Sequence, residues 1–584
     1  MSSKVAGEEP GQRHLNGPQD TGRTYRNLSA ATHAWVVDED VAVTVRDGVE
    51  LMVDVYRPAE PGTYPVLLAV SPYPRQIQTL GAPLGFVEAG QPDYFVPRGY
   101  VYVIANLRST GGSGGTFGFS DQQEREDGHD LVEWCGTQPW SDGNVGMIGI
   151  SYFAMTQLSA AVEQPPHLKA IFPVAATANL YEAASHHGLV STGFITPFLA
   201  MIGMTADRTD RLWRSKALDA LGRVLHTPRI HDRFATMNGE AAMTGIKAIL
   251  KVPHSPEPWD DLWRAIVAEH PTRDAWWDER DLEARLDRVQ VPVYLGCDWQ
   301  NVPLHLPSTF RILERLTNSP CVRVAMLDEH GLSWPWESLH TEALAWFDHW
   351  LKGIDTGITE GPAIRYVLPR TDGSWRSLDT WPPPAAQHRA LALRADGGLG
   401  VEEGTPGDRS FLTFGDGLVR PKPSPTDPPV RLEWTSEPLT EALDVLGEVE
   451  LQLDASATAL DTGWIATLHE VDADGAVLDV TAGYLRASLR AVDEAASRIG
   501  APELPCRTSE AVPVGEVVAY RIPLVVTARR FAAGSRIRLV VQSEDQADDA
   551  PAPMGFRHAT VGTSSRNTVC SSSRLLLPVV PTEG

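Results

Sequence analysis

The chain has 584 residues, and its hydrophobic (42%) and charged (21%) fractions are those of an ordinary globular protein. Because a single hydrophobic core stops growing at about 250–300 residues, a chain of this length is expected to form several domains. Its 75 acidic and 50 basic residues give a formal net charge of −25. A field of that sign repels nucleic acid and anionic membrane surfaces, so neither is expected as a partner.

The cysteines and the N-terminal sequence bear on cofactors and location. Five cysteines are scattered along the chain without a CxxC pair, which predicts neither a disulfide framework nor a metal site. We expect no cofactor. The first thirty residues are polar and lack the apolar stretch of a signal peptide, and no run of 18 apolar residues occurs. We therefore expect a cytoplasmic protein with a flexible arm over residues 1–30, and the sequence leaves a homodimer open.

Eight apolar runs bounded by turn residues predict the strands of one sheet. The first two runs flank Asp47-Gly48, which is a hairpin signal. From the third run on, the segments read as buried on both faces and are separated by stretches long enough for helices. That pattern predicts a parallel sheet with right-handed crossovers. The runs are 41–45, 49–57, 65–71, 101–107, 144–150, 168–176, 291–297 and 322–327.

Helices are expected on either side of the fifth strand, at 127–140 and 152–164. Between strands six and seven lies an insertion of about 115 residues, far longer than an ordinary connection. Because it is rich in helix formers and aromatic residues, it predicts a helical cap over 177–288. Its tryptophans either line an apolar substrate pocket or form the core of the cap itself; they are Trp213, Trp259, Trp263, Trp276 and Trp277.

The last third of the chain changes character after WFDHWLKGIDTG (346–357). Short alternating strands with many Pro and Gly turns predict a jelly roll over 358–584. The expected fold class is thus α/β: an α/β-hydrolase domain (31–176 and 289–357) with an inserted helical cap, followed by a C-terminal all-β domain.

The segment from Gly149 to Ala154 joins the fifth strand to its helix, which is the context that a nucleophile elbow requires. Such a turn lifts a serine hydroxyl clear of the sheet, and the helix N-terminus behind it offers N–H groups to an oxyanion. A lone G-x-S in a Gly-rich loop is usually structural. Because this one lies at the carboxyl end of a predicted central strand, Ser151 is predicted to be the nucleophile.

The base and the acid are expected after the last two strands of the sheet. His330 directly follows strand eight, where an α/β hydrolase places its histidine, and it is predicted to be the general base rather than one of the surface histidines. The loop after strand seven offers Asp298 or Asn301 as the acid. We favour Asp298, because a neutral amide cannot offset the charge of a developing imidazolium.

Tyr73 follows the third strand, where an oxyanion donor is expected. On the pattern alone, a tyrosine packed in a Pro-rich turn is the alternative.

Several segments of the sequence resemble the CocE/NonD hydrolases, which are related to cocaine esterase, α-amino-acid ester hydrolases and X-Pro dipeptidyl-peptidases. They are RDGVELMVDVYRP, SPYPR, NLRSTGGSGG, QPWSDGNVGMIGISY and WFDHWLKGIDTG. The resemblance covers nearly all of residues 38–580. It implies a catalytic α/β domain, a helical cap and a C-terminal jelly roll. It also implies that the Tyr73 hydroxyl and the N–H of Tyr152 form the oxyanion hole.

The sequence departs from the family pattern at three places. The usual GxSYxG is GISYFA here, the usual acid position aligns with Asn301, and His330 follows Leu327-Asp328-Glu329 instead of a Gly-Pro-Trp segment.

The predicted function is hydrolysis of a small-molecule ester or amide through an acyl-enzyme. Within the same fold, an aminopeptidase-like enzyme is the alternative, with Asp328 and Glu329 as candidates to hold a substrate ammonium group. A binding protein with weakened catalysis is the second alternative, suggested by Asn301 at the acid position and by the jelly roll.

Overall fold

A computed structural model describes residues 4–6, 23–79, 87–206, 257–328, 335–415, 429–545 and 556–581, together with the single positions 220, 224 and 227. Two large sheets account for most of its strands. Their apolar side chains form one continuous buried cluster.

The first sheet has eleven strands within the described residues, in the order β1-β2-β3-β5-β4-β6-β7-β8-β9-β10-β11. Strands β2 and β3 pair antiparallel as the predicted hairpin, and the pairs from β4 to β9 are parallel. The predicted parallel sheet is confirmed. The strands are Lys4–Ala6, Trp35–Thr44, Glu50–Pro58, Tyr64–Ser71, Val101–Asn106, Ser141–Ile150, Leu168–Val174, Val293–Asp298, Val322–Leu327, Ile364–Val367 and Trp375–Leu378.

Helices cover both faces of this sheet, which explains why its central strands are apolar on both sides. All six residues of β5 and of β8 are buried. The helix Pro335–Lys352 (α9) packs closely on β6. A Cβ added at Gly146 of β6 would lie 2.7 Å from the ring of Phe347 in this helix. The described helices are α1 (Pro92–Phe95), α2 (Gln122–Gly136), α3 (Tyr152–Val162), α4 (Leu180–Ser185), α5 (Thr192–Ala206), α6 (Trp259–Arg264), α7 (Ala275–Arg280), α8 (Leu306–Arg315) and α9 (Pro335–Lys352). None of these helices is long and apolar enough to span a bilayer.

The cap is helical where the structure describes it, from α4 to α7. Most of residues 207–256, in the middle of the predicted cap, lie outside the described residues. Trp259 and Trp277 are 2% and 1% exposed and belong to the hydrophobic core. For these two tryptophans the structure favours a packing role.

The second sheet also has eleven strands within the described residues, and it closes because β24 pairs with both β12 and β16. Closure pairs the strands from β16 to β24 round the ring, whereas β14 remains at an edge next to β23. The strands, from β12 to β18 and from β21 to β24, are Gln387–Leu393, Gly398–Gly400, Asp408–Gly415, Arg431–Ser436, Leu443–Ala457, Gly463–Val471, Val477–Arg486, Val518–Phe531, Arg536–Gln542, Thr563–Cys570 and Arg574–Val580; a small separate pair is β19 (Asp493–Arg498) with β20 (Ala501–Glu503).

Two boundaries in the structure differ from the sequence prediction. Strand β10 pairs parallel with β9, and β11 pairs with β10, so the first sheet continues past residue 357 to Leu378. Residues 23–30 of the predicted arm are held by the catalytic domain: Arg26 donates to Asp355, and Ser29 Oγ donates to Asp348. Both segments are short, and their local sequence gave no sign of these long-range partners.

The C-terminal all-β domain formed by the second sheet (387–580), called the β-sandwich below, packs against the catalytic domain and the cap. Arg311 of α8 donates to both Glu283 and Glu503, and His186, just after α4, lies 2.7 Å from His558 through Nδ1 and Nε2. This junction brings the neighbouring Phe556 to the carboxyl edge of the first sheet.

Candidate active site

Ser151 lies between the end of β6 and the start of α3, with φ 58° and ψ −119°. A non-glycine residue with positive φ is uncommon and strained, and such strain clusters at functional turns. The N–H of Ser151 donates to the carbonyl of Val174 on the neighbouring strand at 2.9 Å, which anchors the turn. The geometry is that of a nucleophile elbow.

Gly149 permits this turn. Its φ is 143°, and a Cβ there would lie 2.2 Å from Cβ of Phe153. The GISYF segment therefore needs glycine two residues before the serine.

Tyr73, 3% exposed, follows β4, and its hydroxyl is hydrogen bonded to the Ser151 side chain. Burial, with the nearby Glu88 carboxyl, raises the pKa of Tyr73 well above 10, so the phenol keeps its proton and remains a donor. Edge-on contacts with the rings of Tyr152 and Phe153 fix its orientation, at centroid distances of 6.3 and 6.0 Å.

Tyr152 is the first residue of α3. N–H groups in the first turn of a helix have no partner within the helix, so its backbone can donate to an oxyanion beside Ser151. The side chain of Tyr152 points away: its hydroxyl donates to Glu124 at 3.0 Å. The structure thus places both predicted oxyanion donors next to the serine.

Asp298 and Asn301 are both on the wall of the same cavity as Ser151. Asp298 is the last residue of β8 and is 3% exposed; one of its oxygens accepts from the N–H of Gln300 at 2.8 Å. The side-chain oxygen of Asn301 accepts from the backbone N–H of His305 at 3.1 Å. Asn301 therefore helps to start helix α8.

His330 lies outside the described residues, which break off at Asp328 and resume at Pro335. Its role as general base stays a prediction.

The structure instead shows a histidine that the sequence analysis missed. His305 lies 3.2 Å from Ser151 Oγ through Nε2 and 2.7 Å from Thr177 Oγ1 through Nδ1. Burial lowers the pKa of His305 to about 3. The sequence could have pointed to His305, because this residue lies in the loop after the seventh predicted strand, at the carboxyl edge of the sheet.

A cavity of about 450 Å³ opens onto Ser151. The cap supplies Phe194 and Phe198, the β-sandwich supplies Phe556, and Phe119 completes the aromatic lining. None of the four cap tryptophans that the structure describes lines this cavity; Trp213 lies outside the described residues. The predicted apolar pocket is thus built from phenylalanines and not from those tryptophans.

One carboxyl in this cavity was not foreseen. Glu88 is partly buried, and desolvation of its carboxyl raises its pKa to about 8. Across the described part of the chain, no three His, Cys, Asp or Glu side chains are grouped closely enough to hold a metal ion.

A strained serine at the carboxyl edge of a parallel sheet, with a phenol and a helix N-terminus beside it, defines a serine hydrolase of the α/β-hydrolase class. The model for X-Pro dipeptidyl-peptidases of the S15 family matches residues 47–337, and that for the X-Pro dipeptidyl-peptidase C-terminal non-catalytic domain matches 356–563. The two matches together span most of the chain, and the chain belongs to this family of serine hydrolases.

Cocaine esterase of Rhodococcus sp. is 27% identical over 558 residues, which is 87% of this chain and 91% of the relative. Among solved structures, a CocE/NonD family hydrolase from Staphylococcus aureus superposes with a TM-score of 0.75 at 22% identity, covering 98% of this chain and 100% of that one. An aminopeptidase from a marine sediment Thaumarchaeota archaeon gives 0.70 at 18% identity, covering 98% and 99%. At these identities the structural likeness establishes the fold.

Proposed function

We propose that this serine hydrolase cleaves small-molecule esters or amides through an acyl-enzyme on Ser151. The observation that carries the proposal is the strained Ser151, hydrogen bonded to Tyr73 at the mouth of an apolar cavity. The oxygen attacks the substrate carbonyl while its proton passes to a histidine. Tyr73 and the N–H of Tyr152 stabilise the oxyanion, the leaving group takes the proton, and water then releases the acid.

We propose His330 with Asp298 as the base and the acid. Asp298 supplies a buried carboxylate on the wall of the cavity, at the end of the strand that α/β hydrolases use for the acid. Asn301 is less suited to the role, because its oxygen already accepts from the His305 backbone.

The cavity supports a compact substrate with an apolar acyl or leaving group. Its lining is dominated by phenylalanine and small aliphatic side chains, which favour apolar groups over charged ones. We further propose a cytoplasmic location, supported by five free cysteines.

The family description favours one second candidate, an aminopeptidase that cleaves X-Pro amides. Such an enzyme must hold a substrate ammonium group. Of the two acids suggested for this purpose, Asp328 is exposed and is not among the described residues that line the cavity, and Glu329 lies outside the described residues. Because Asp328 does not line the described cavity, we prefer the simpler ester or amide hydrolase.

A screen over aryl esters, lactones, simple amides and X-Pro arylamides tests the proposal, with Ser151→Ala as the blank. Wild type should turn over esters, and the variant should lose nearly all activity while keeping its Tm. A fluorophosphonate probe should label wild type and not the variant. Failure of wild type to label would show that the serine is not activated, as the binding-protein alternative requires, and a strong preference for X-Pro arylamides would favour the aminopeptidase.

A further inference from the structure

His305 makes two hydrogen bonds that together fix the position of its proton. Thr177 Oγ1 lies 2.7 Å from Nδ1 of His305 and 3.2 Å from the carbonyl oxygen of Leu304. A hydroxyl has one proton to donate, and a carbonyl oxygen can only accept. Both bonds form at once only if Thr177 donates to Leu304 and accepts from an N–H at Nδ1.

A neutral imidazole that carries its proton on Nδ1 has a lone pair on Nε2. Nε2 of His305 is 3.2 Å from Ser151 Oγ, so it accepts the serine hydroxyl. The Tyr73 hydroxyl is hydrogen bonded to the same serine side chain. Because the one serine proton then lies towards Nε2, Tyr73 must be the donor in its own bond to Ser151 Oγ. The hydroxyl of Ser151 is therefore held between one acceptor and one donor.

The surroundings of His305 keep it neutral. Its ring contacts Thr177 and Ser151, which are uncharged, and neither Asp298 nor Glu88, the two carboxyls on the wall of the same cavity, bonds to it among the described contacts. A general base of this class requires a carboxylate to stabilise its imidazolium. Thr177 cannot supply that charge.

We propose that His305 is a positioning residue, which holds the Ser151 hydroxyl in its attacking rotamer through a tautomer fixed by Thr177. This inference rests on the proposed function. A separate histidine takes the proton during acylation. Loss of a fixed nucleophile geometry can lower a rate by up to about 10²-fold.

Replacement of the ring by amides separates positioning from proton transfer. In His305→Gln the terminal amide reaches the place of Nε2, and its oxygen can accept the serine hydroxyl but cannot act as a base. In His305→Asn the amide reaches only the place of Nδ1. We expect kcat to fall by less than about fivefold in His305→Gln and by about 10- to 100-fold in His305→Asn, with KM little changed in both.

Two further readouts keep the test decisive if a His305 variant folds poorly. Thr177→Val leaves the imidazole but removes the acceptor for Nδ1–H, so kcat should fall by about three- to tenfold, and Thr177→Ser should restore it. The acid limb of kcat/KM against pH should keep its midpoint in His305→Gln, because His305 does not titrate in the cycle.

Several outcomes would overturn this role. If His305→Gln is as inactive as Ser151→Ala, or loses the acid limb, His305 is the base. If His305→Asn and Thr177→Val both match wild type, neither residue positions the serine. Failure of the proposed function is distinguishable, because wild type itself would then neither label with fluorophosphonate nor hydrolyse any substrate of the screen.

Discussion

At the scale of single residues, the role of the Tyr73 hydroxyl as an oxyanion donor can be tested by one substitution. Burial keeps it protonated and its hydroxyl is hydrogen bonded to Ser151, so Tyr73→Phe removes one oxyanion donor without changing the shape of the ring. We expect kcat to fall by about 10²–10³-fold, with a smaller effect on KM. Steady-state kinetics on an aryl ester would check this, and an unchanged kcat would return Tyr73 to a packing role.

Two single substitutions decide whether Asp298 or Asn301 is the acid that supports the histidine. If Asp298 supports the imidazolium, Asp298→Asn should lower kcat/KM by several orders of magnitude, on the order of 10⁴. Asn301→Asp should change kcat/KM little, because an aspartate oxygen can still accept from the His305 N–H, as Asn301 does now. Activity of Asp298→Asn within about threefold of wild type, a difference well under 1 kcal/mol, would exclude Asp298 as the acid.

Glu88 gives a prediction for stability against pH. Burial raises its pKa from 4.5 to about 8, so between these values the folded chain holds a proton that the unfolded chain has lost. The contribution to the free energy of unfolding is present below about pH 4.5 and falls as pH rises towards 8, by at most about 1.4 kcal/mol per pH unit. Glu88→Gln cannot ionise, so its Tm should decline less than that of wild type between pH 5 and pH 8. Parallel declines would show that Glu88 is not the group responsible.

At the scale of elements, the strand-to-helix turn depends on Gly149. An added methyl group would meet Phe153 at 2.2 Å, in a backbone conformation with φ 143°, so Gly149→Ala should lower both Tm and activity. Gly361→Ala is the matched control, because Gly361 also has positive φ, 72°, but nothing lies within 4 Å of the added carbon. Gly361→Ala should lower the free energy of unfolding by about 1–2 kcal/mol, the cost of a left-handed backbone alone, and leave kcat unchanged. Equal losses of Tm in the two variants would mean that the contact with Phe153 is unimportant.

The elements themselves were largely predictable. Strands β4 to β9 were expected within a few residues of their observed bounds, because a strand buried on both faces has a continuous apolar run that local sequence reveals. Strands β10 and β11 were missed as part of this sheet, since four-residue strands carry little periodicity. Their membership depends on the pairing of β10 with β9 and of β11 with β10.

At the scale of the whole molecule, the β-sandwich contributes directly to the catalytic cavity through Phe556. Its ring stacks on Phe194 of the cap at a centroid distance of 5.2 Å, so the cap, the β-sandwich and the catalytic domain all line the cavity. Phe556→Ala should raise KM for aryl esters by about tenfold, equal to about 1.4 kcal/mol, with a smaller change in kcat. Phe556→Leu, which keeps most of the apolar contact, is the control. Unaltered KM values in Phe556→Ala would place the substrate away from the sandwich.

The sequence by itself determined the class of this protein: the strands of the parallel sheet and the elbow at Ser151 are each encoded in a short local pattern. The pattern left Tyr73 open, and its role as a donor came from the resemblance to a known family. The tertiary structure decided how distant segments meet. His305 contacts Ser151 although 154 positions separate them in sequence. The Asn301 side chain accepts from the N–H of His305, just before helix α8. Phenylalanines line the cavity where tryptophans were expected. Local periodicity reports which face of an element is buried, whereas the identity of the neighbour across that face depends on the packing of the complete chain.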